Sequence, residues 1–247
     1  MPNRRTIVLG IAAMPIALGA TRAFAQEALT GDAIATSEGD VTIHPVGHAS
    51  LALGFGAHVL YIDPAKEDFS GLPAPTGILV THAHGDHFDG PSLEQIAGSA
   101  PILTTEEVAG KMPEALKAQT SVLKNGESGT IDGIAVDAIP AYNTTEDRKK
   151  YHPQGRDNGY VLTVDGSRVY IAGDTEDIPE MRALTDIDLA FVPMNLPFTM
   201  DVDQAASAVA EFKPKVVYPY HYKGQDPEAF AAKVGEGIEV KQGPWYG

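Results

Sequence analysis

Apolar and polar positions alternate in short runs over most of the chain beyond residue 40, a pattern typical of β-strands. Longer amphipathic runs interrupt this alternation and predict helices, the first of them behind Pro91, a residue suited to the first helical turn. The predicted strands span residues 41–45, 51–55, 59–62, 77–80, 101–104, 121–123, 131–139, 159–164, 168–173, 188–193 and 215–219. The predicted helices span residues 92–97, 105–112 and 202–212. This mixture, without repeats or a long linker, predicts an α/β domain.

The N-terminal residues 1–25 have the features of an export signal. Arg4 and Arg5 precede an apolar run over residues 7–20, and residues 23–25 read Ala-Phe-Ala, a small-x-small cleavage site. The apolar run is too short for a good membrane span, so we expect a cleaved signal and no stable membrane anchor. The paired arginines favour the twin-arginine route, with a Sec signal that happens to carry two arginines as the alternative.

Cleavage would leave a loose leader at residues 26–39, rich in small residues and acids, and a single domain at residues 40–247. The mature protein would then be periplasmic or secreted. The formal net charge is −15 at pH 7, and loss of three arginines with the signal makes it −18. Such an acidic body repels phosphates, which argues against nucleic acid as a partner and favours a small-molecule substrate. The chain has no cysteine, so no disulfide framework accompanies export.

The densest concentration of chemistry directly follows the apolar run at residues 77–80. Three imidazoles and a carboxylate, from His82, His84, Asp86 and His87, lie within six residues. Residues two apart on an extended backbone point to the same side, so His82 and His84 can hold one ion while the next turn carries Asp86 and His87 toward a second. Imidazole with carboxylate suits zinc, and also iron or manganese. The run therefore predicts one or two divalent metal ions.

This motif resembles the His-x-His-x-Asp-His signature of the metallo-β-lactamase fold hydrolases. Two further segments are similar to that family: residues 168–175, ending in Gly-Asp-Thr, and residues 216–222, which contain His221. The resemblance implies an αββα four-layer sandwich, with Asp174 bridging two metals and His221 as the last ligand. Strand ends near His82, Asp174 and His221 would then meet at one edge of the sandwich. Three segments make the branch of ascorbate-6-phosphate lactonase relatives the most similar: residues 47–50, 62–64 and 197–200.

One position departs from the family pattern. Many relatives carry a third histidine for the first metal where this chain has Asn143. Three interpretations follow: Asn143 binds weakly through its carbonyl, His152 folds back from the long polar loop to supply the missing nitrogen, or the first site is depleted. We favour His152, because a loop of this length in a compact domain is more often functional than idle.

Several other side chains are candidates for supporting roles. Asp63 closes an apolar strand and is expected to orient the histidine loop, since ligand imidazoles need a partner that fixes their tautomer. His48, in the segment Gly-His-Ala-Ser, resembles a turn at the mouth of the family's active site, with a substrate contact or a structural role equally open. Tyr142 and Tyr222 lie beside expected ligands and could contact substrate, with plain aromatic packing as the alternative.

These features predict a metal-dependent hydrolase, with zinc as the first candidate metal, in which metal-bound hydroxide attacks a small-molecule ester, lactone or phosphodiester. Asp86 and Asp174 are the expected catalytic residues, since either could orient the water or relay its proton. Two alternatives stay open: an exported metal- or metabolite-binding protein without turnover, and a β-lactam hydrolase. The second fits poorly, because the zinc β-lactamases use a cysteine or a different histidine spacing for the later ligands.

Overall fold

The computed structural model describes residues 28–36 and 39–246, so the predicted signal at residues 1–25 lies outside the described residues. Two seven-stranded sheets form the body of the protein. The first sheet contains, in spatial order, β1 (Asp32–Thr36), β2 (Gly39–Gly47), β3 (Ser50–Phe55), β4 (His58–Ile62), β5 (Gly77–Leu79), β6 (Ile102–Thr104) and β7 (Thr120–Val122). The second runs in the opposite order, from β14 (Glu239–Val240) through β13 (Val216–Tyr220), β12 (Leu189–Pro193), β11 (Ser167–Ile171), β10 (Asp157–Val164) and β9 (Ile134–Ala141) to β8 (Ser128–Ile131).

The two sheets share one plan. Each begins with four antiparallel strands joined by hairpins and continues with three strands added in parallel. Parallel neighbours require crossover connections, which carry most of the helices. The carboxyl ends of the parallel strands in each sheet therefore lie at one edge, where the crossover loops begin.

The helices cover the outer faces of both sheets, and four of the five described α-helices have an N-terminus capped by a local polar side chain. They are α1 (Gly90–Ile96), α2 (Glu106–Lys111), α3 (Pro179–Arg182), α4 (Val202–Phe212) and α5 (Pro227–Val234), with a 3₁₀ turn at Glu114–Gln119. In α4, Asp201 and Gln204 form a reciprocal capping box. The layers are thus helix, sheet, sheet, helix, which confirms the predicted α/β class and the αββα sandwich.

Three apolar clusters hold these layers together. The largest lies between the sheets and includes the fully buried Leu51, Leu53 and Phe191. A second joins the outer face of the second sheet to α3, α4 and α5, and a third joins the first sheet to α1 and α2. Burying one such Leu or Phe side chain is worth about 1.5–3 kcal/mol, so the inter-sheet layer fixes the position of one sheet relative to the other.

The predicted helix at residues 202–212 matches α4, whereas two other predicted segments differ from the structure. Residues 32–36 of the expected loose leader form β1, which pairs with β2 and is held by a hydrogen bond from Tyr218 to Asp32. The single strand predicted at residues 131–139 is the hairpin of β8 and β9, turning at Asp132 and Gly133. None of the described helices is long and apolar enough to cross a membrane.

Candidate metal centre

The candidate site lies where strands of the two sheets end side by side. His82 follows β5 by three residues, Asp174 follows β11 by three, and His221 directly follows β13. His152 arrives from the loop between β9 and β10. The sheet edge predicted to collect the histidine motif, Asp174 and His221 therefore does collect them, with His152 added from the side.

Asp174 is the centre of this cluster and is almost fully buried. Its Oδ1 lies 3.3 Å from His87 Nε2, and its Oδ2 lies 3.3 Å from His152 Nε2. The same Oδ2 lies 3.6 Å from His221 Nε2 and 4.0 Å from His82 Nε2. One carboxylate thus faces four imidazole nitrogens that come from three segments of the chain.

The ligand atoms fall into groups small enough to surround a cation. His82, His84, His152 and Asp174 form one group, in which one donor atom per residue lies within 4.8 Å of the others. His87 and His221 form a second group with the same Asp174. Asp86 Oδ2, 3.3 Å from His221 Nε2, borders this second group, so the arrangement offers two adjacent positions that share one carboxylate.

Neighbouring carboxylates fix the protonation of the imidazoles. Asp63 Oδ2 lies 2.8 Å from His87 Nδ1, and Asp157 Oδ2 lies 3.0 Å from His152 Nδ1. Because a carboxylate only accepts hydrogen bonds, each Nδ1 donates its proton to its own carboxylate, and each Nε2 faces Asp174, where it can hold either a proton or a metal ion.

Thr81 extends this control to His82. Its hydroxyl donates to Asp63 Oδ2 at 2.7 Å, so it accepts a hydrogen bond from His82 Nδ1 at 3.0 Å. Asp63, itself fully buried, thereby fixes the tautomers of both His82 and His87, in the orienting position expected of it.

Buried polar atoms at the centre of the cluster lack hydrogen bonds. His87 Nε2, His152 Nε2 and Asp174 Oδ1 find no partner of acceptable geometry among the described residues. Leaving such atoms unsatisfied costs about 1–3 kcal/mol each. Each of the two imidazole atoms lies 3.3 Å from an oxygen of Asp174, and all three are donor types that zinc, iron or manganese prefers, so a divalent cation fits this arrangement.

The electrostatics of the cluster also favour cations. Burial and then the positive charge of His87 lower the pKa of His82 well below its usual value, which leaves the neutral form that ligation requires. Burial opposes ionisation of Asp174, but the nearby His221 and His87 outweigh it and hold the pKa of Asp174 well below the ordinary range. Burial also opposes ionisation of Asp86, and hydrogen bonds from His221 and His48 lower its pKa. The two carboxylates are therefore ionised, and their negative charge favours the binding of cations.

The loop that carries His152 is anchored by a buried glutamate. Glu176 Oε2 accepts hydrogen bonds from the backbone nitrogens of Thr144 and Thr145 at 2.7 and 2.6 Å, and its Oε1 pairs with Arg148 at 2.7 Å. Asn143 is part of this anchor: its side-chain amide donates to the carbonyls of Arg148 and Phe198 at 3.1 and 2.7 Å. Asn143 therefore faces the loop, while His152, the residue favoured to replace the missing histidine, faces Asp174.

Several site residues hold a left-handed backbone that side chains rarely adopt. The φ angles of His48, Asp63 and His221 are 48°, 46° and 47°. Gly173 has φ 64°, and a Cβ there would lie 2.7 Å from the carbonyl oxygen of Asn158. Only glycine lets the end of β11 approach β10 this closely directly before Asp174.

The cluster forms the floor of an open cavity of about 920 Å³. His48 lies on its wall, with Nε2 3.2 Å from Asp86 Oδ2 and Nδ1 2.7 Å from the hydroxyl of Tyr246. Tyr151, Phe198, Trp245 and Tyr246 line the walls above. A cavity of this size accommodates a small molecule.

Two candidates for substrate contact lie elsewhere. Tyr142 is buried in the core of the second sheet and donates to Glu180 at 3.0 Å, outside the cavity lining. Tyr222 is also outside the lining and packs behind Tyr246, with ring centroids 4.9 Å apart. In the structure, both side chains therefore pack against other parts of the protein, which was the alternative to a contact with substrate.

Three supporting residues were not anticipated. They are Asp157, Glu176 and Asn195, whose side-chain amide lies 3.2 Å from His221 Nδ1. Asp157 follows His152 by five residues and Glu176 follows the Gly-Asp-Thr segment, so proximity in sequence was the available signal for these two.

Comparison with known families agrees with this geometry. The family model described as the β-lactamase superfamily domain matches residues 42–221, a span that contains every residue of the cluster. The chain belongs to the β-lactamase superfamily. A UPF0173 metal-dependent hydrolase from Pyrococcus abyssi is 34% identical over 220 residues, covering 81% of this chain and 95% of the relative.

Solved structures of the superfamily share the fold. The crystal structure of a presumed metal-dependent hydrolase from Parabacteroides distasonis is similar with a TM-score of 0.80 and 43% identity, covering 87% of this chain and 98% of that one. The metallo-β-lactamase fold protein YhfI from Bacillus subtilis has a TM-score of 0.62 at 14% identity, covering 89% of this chain and 94% of that one. The resemblance to this superfamily inferred from the histidine motif is confirmed; the comparisons leave the lactonase branch as an expectation.

The anchor of the His152 loop can be tested by Glu176→Gln. The substitution keeps the side-chain volume but removes the charge that receives Arg148 and two backbone N–H groups, so we expect a loss of about 2–3 kcal/mol in the free energy of unfolding. Urea denaturation in the presence of a chelator measures it without a contribution from metal.

Glu146→Gln is the matched control, because Glu146 lies in the same loop but forms an exposed pair with Lys149. It should leave the unfolding midpoint unchanged. Equal midpoints for the two variants would contradict the anchoring role of Glu176.

Proposed function

We propose that this protein hydrolyses a small-molecule ester, lactone or phosphodiester with the help of two divalent metal ions, zinc being the first candidate and iron or manganese the others. The observation that carries the proposal is the buried Asp174, surrounded by four imidazole Nε2 atoms at 3.3–4.0 Å. Relatives of the superfamily named metal-dependent hydrolases support the general reaction. The ester, lactone or phosphodiester class is our own inference from the site.

The residues divide between the two ions in one consistent way. His82, His84 and His152 would hold the first ion, Asp86, His87 and His221 the second, and Asp174 would bridge them. Three histidines with a carboxylate, or two histidines with two carboxylates, are ligand sets that zinc accepts. His152 thus completes the first site in our proposal, and Asn143 holds the loop in place.

When bound, ions at these positions would supply a water of pKa about 7 and polarise the scissile oxygen of the substrate. The protein residues would do the rest. Asp63 and Asp157 hold the imidazoles in the required tautomers, and Asp174 or Asp86 would orient the attacking water or take its proton. His48 contacts Asp86 at 3.2 Å and would restrict the position of that carboxylate.

The first test of this assignment is the metal content per chain. The wild-type protein should carry about two ions after loading and desalting, and His152→Ala about one, because the first position loses a ligand while the second keeps its own. Elemental mass spectrometry measures both. His58→Ala is the control, since His58 pairs with Asp132 outside the cluster and its loss should leave the content unchanged.

Two ions in His152→Ala would remove this histidine from the ligand set. A wild-type content of about one ion would instead favour a mononuclear centre.

The role of Asp174 is tested by Asp174→Asn. We expect a folded protein with at least about a hundredfold lower turnover, because the bridging carboxylate and its charge are lost. Bis(p-nitrophenyl) phosphate, p-nitrophenyl acetate, a γ-lactone and a chromogenic cephalosporin form the substrate panel, each with and without chelator. Asp165→Asn in the exposed hairpin between β10 and β11 is the matched control.

Turnover of Asp174→Asn within a few-fold of wild type would exclude Asp174 from the mechanism. Silence of the loaded wild-type protein on every substrate would favour the metal- or metabolite-binding alternative over an enzyme.

Export is the remaining part of the proposal. Arg4, Arg5, the apolar run and the cleavage site support a twin-arginine signal that delivers the folded, metal-loaded protein to the periplasm or beyond. Changing both arginines to lysine should abolish the mature form. N-terminal mass spectrometry detects that form, whose expected first residue is Gln26. Undiminished export of the double variant would favour the Sec route, and a retained residue 1 would argue against cleavage.

A further inference from the structure

Exposed apolar surface is concentrated at the mouth of the cavity. Among the described residues, four large apolar side chains are exposed: Phe198 at 40%, Tyr246 at 38%, Leu196 at 37% and Val122 at 38%. Phe198 and Tyr246 line the cavity, and Leu196 lies two residues before Phe198. Val122 lies on β7, away from the cavity lining. Contiguous exposed apolar surface at a concave site commonly marks ligand contact.

The first aromatic wall is fixed in place by its neighbours. The ring of Phe198 packs against that of Tyr151 with centroids 5.0 Å apart and planes at 73°. The backbone of Phe198 is held from both sides, because its N–H donates to Asn195 at 2.8 Å and its carbonyl accepts from Asn143 at 2.7 Å. These contacts keep the exposed ring of Phe198 at the cavity mouth.

The second wall is the C-terminal segment that carries Tyr246. The carbonyl of Trp245 accepts a hydrogen bond from the backbone of His48 at 3.1 Å, and the Tyr246 hydroxyl contacts His48 Nδ1 at 2.7 Å. The Tyr246 ring also packs on Tyr222 at 77°. Both its polar end and one edge of its ring are therefore engaged, and the remaining exposed surface is apolar.

The charged side chains at the rim of the cavity give little selection among substrates by themselves. Three charged side chains in the lining are exposed: Glu67 and Lys223, which are of opposite sign, and Asp86, which belongs to the cluster on the cavity floor. In the proposed reaction, the cluster at the cavity floor would bind the electrophilic group of the substrate. The walls offer two aromatic surfaces. Aromatic rings pack favourably against other rings in offset or edge-to-face arrangements.

We propose that the substrate carries an apolar ring beside its scissile group, with the ring packed between the Phe198–Tyr151 wall and the Tyr246 wall and the scissile group facing Asp174. The cavity volume of about 920 Å³ limits this substrate to small-molecule size. The inference rests on the proposed function for the position of the scissile group. Binding, however, can be measured without turnover, so the two can fail separately.

The test compares phenylphosphonate with methylphosphonate, two non-hydrolysable anions that differ only in the apolar group. Isothermal titration calorimetry on the zinc-loaded mature protein should give about tenfold tighter binding of phenylphosphonate, because part of the ring surface leaves water. Phe198→Ala should reduce this preference to about threefold or less. The metal content and the thermal midpoint of the variant serve as controls for metal loading and folding. Both should equal the wild-type values, because the side chain of Phe198 is half-exposed.

Val122→Ala is the matched control, since it removes equally exposed apolar surface outside the cavity and should preserve the preference. Equal affinities of the two phosphonates, no binding of either, or an unchanged preference in Phe198→Ala would each overturn the proposal. A clear ring preference together with silence in the hydrolysis panel would reject the proposed reaction while supporting the ring-binding walls.

Discussion

The structure of the site depends on one constraint: the buried carboxylate of Asp174 must be compensated. Four imidazoles surround it, and fixed tautomers direct Nε2 lone pairs toward it from at least His87, His152 and His82. Lone pairs and a carboxylate repel one another unless protons or metal ions lie between them. Protons or bound cations must therefore lie between these groups, and the surrounding fold holds mutually repelling donors at short range.

Rigidity for this purpose comes from the two sheets and their shared core. The inter-sheet layer fixes the ends of β5, β11 and β13, so their ligands meet without adjustable linkers. Local strain accompanies this arrangement, with left-handed backbone at His48, Asp63 and His221. Such conformations cost on the order of 1–3 kcal/mol each and persist where the surroundings over-determine them. The burial of the large apolar core thus offsets the free-energy cost of the strained backbone at the site.

Sequence predicted those parts of the molecule in which a signal is local. About ten residues of sequence are enough to recognise each of three features. They are the histidine motif, the capped helix at residues 202–212 and the strands before Asp174 and His221. The dipeptide Asp132–Gly133 was an equally local hairpin signal, and the expectation of one strand there was wrong because the alternation continues through it. The start of the leader strand β1 is bound to Tyr218 and the side chain of Tyr142 to Glu180, partners far along the chain that no window of sequence contains. The sequence favoured His152 over Asn143 from the length of the loop alone, and the structure adds that His152 Nε2 lies 3.3 Å from Asp174 Oδ2.

The position of His152 beside Tyr151 has a thermodynamic consequence. One residue faces the metal cluster and its neighbour forms part of the cavity wall, so a single loop conformation serves both. In the proposed site, a ligand packed on Tyr151 and a cation held by His152 would stabilise that same conformation, and by linkage each would raise the affinity of the other by the same factor. Occupancy of the first metal position would then depend on what the cavity contains, a form of cooperativity that a histidine carried on a rigid strand would not provide.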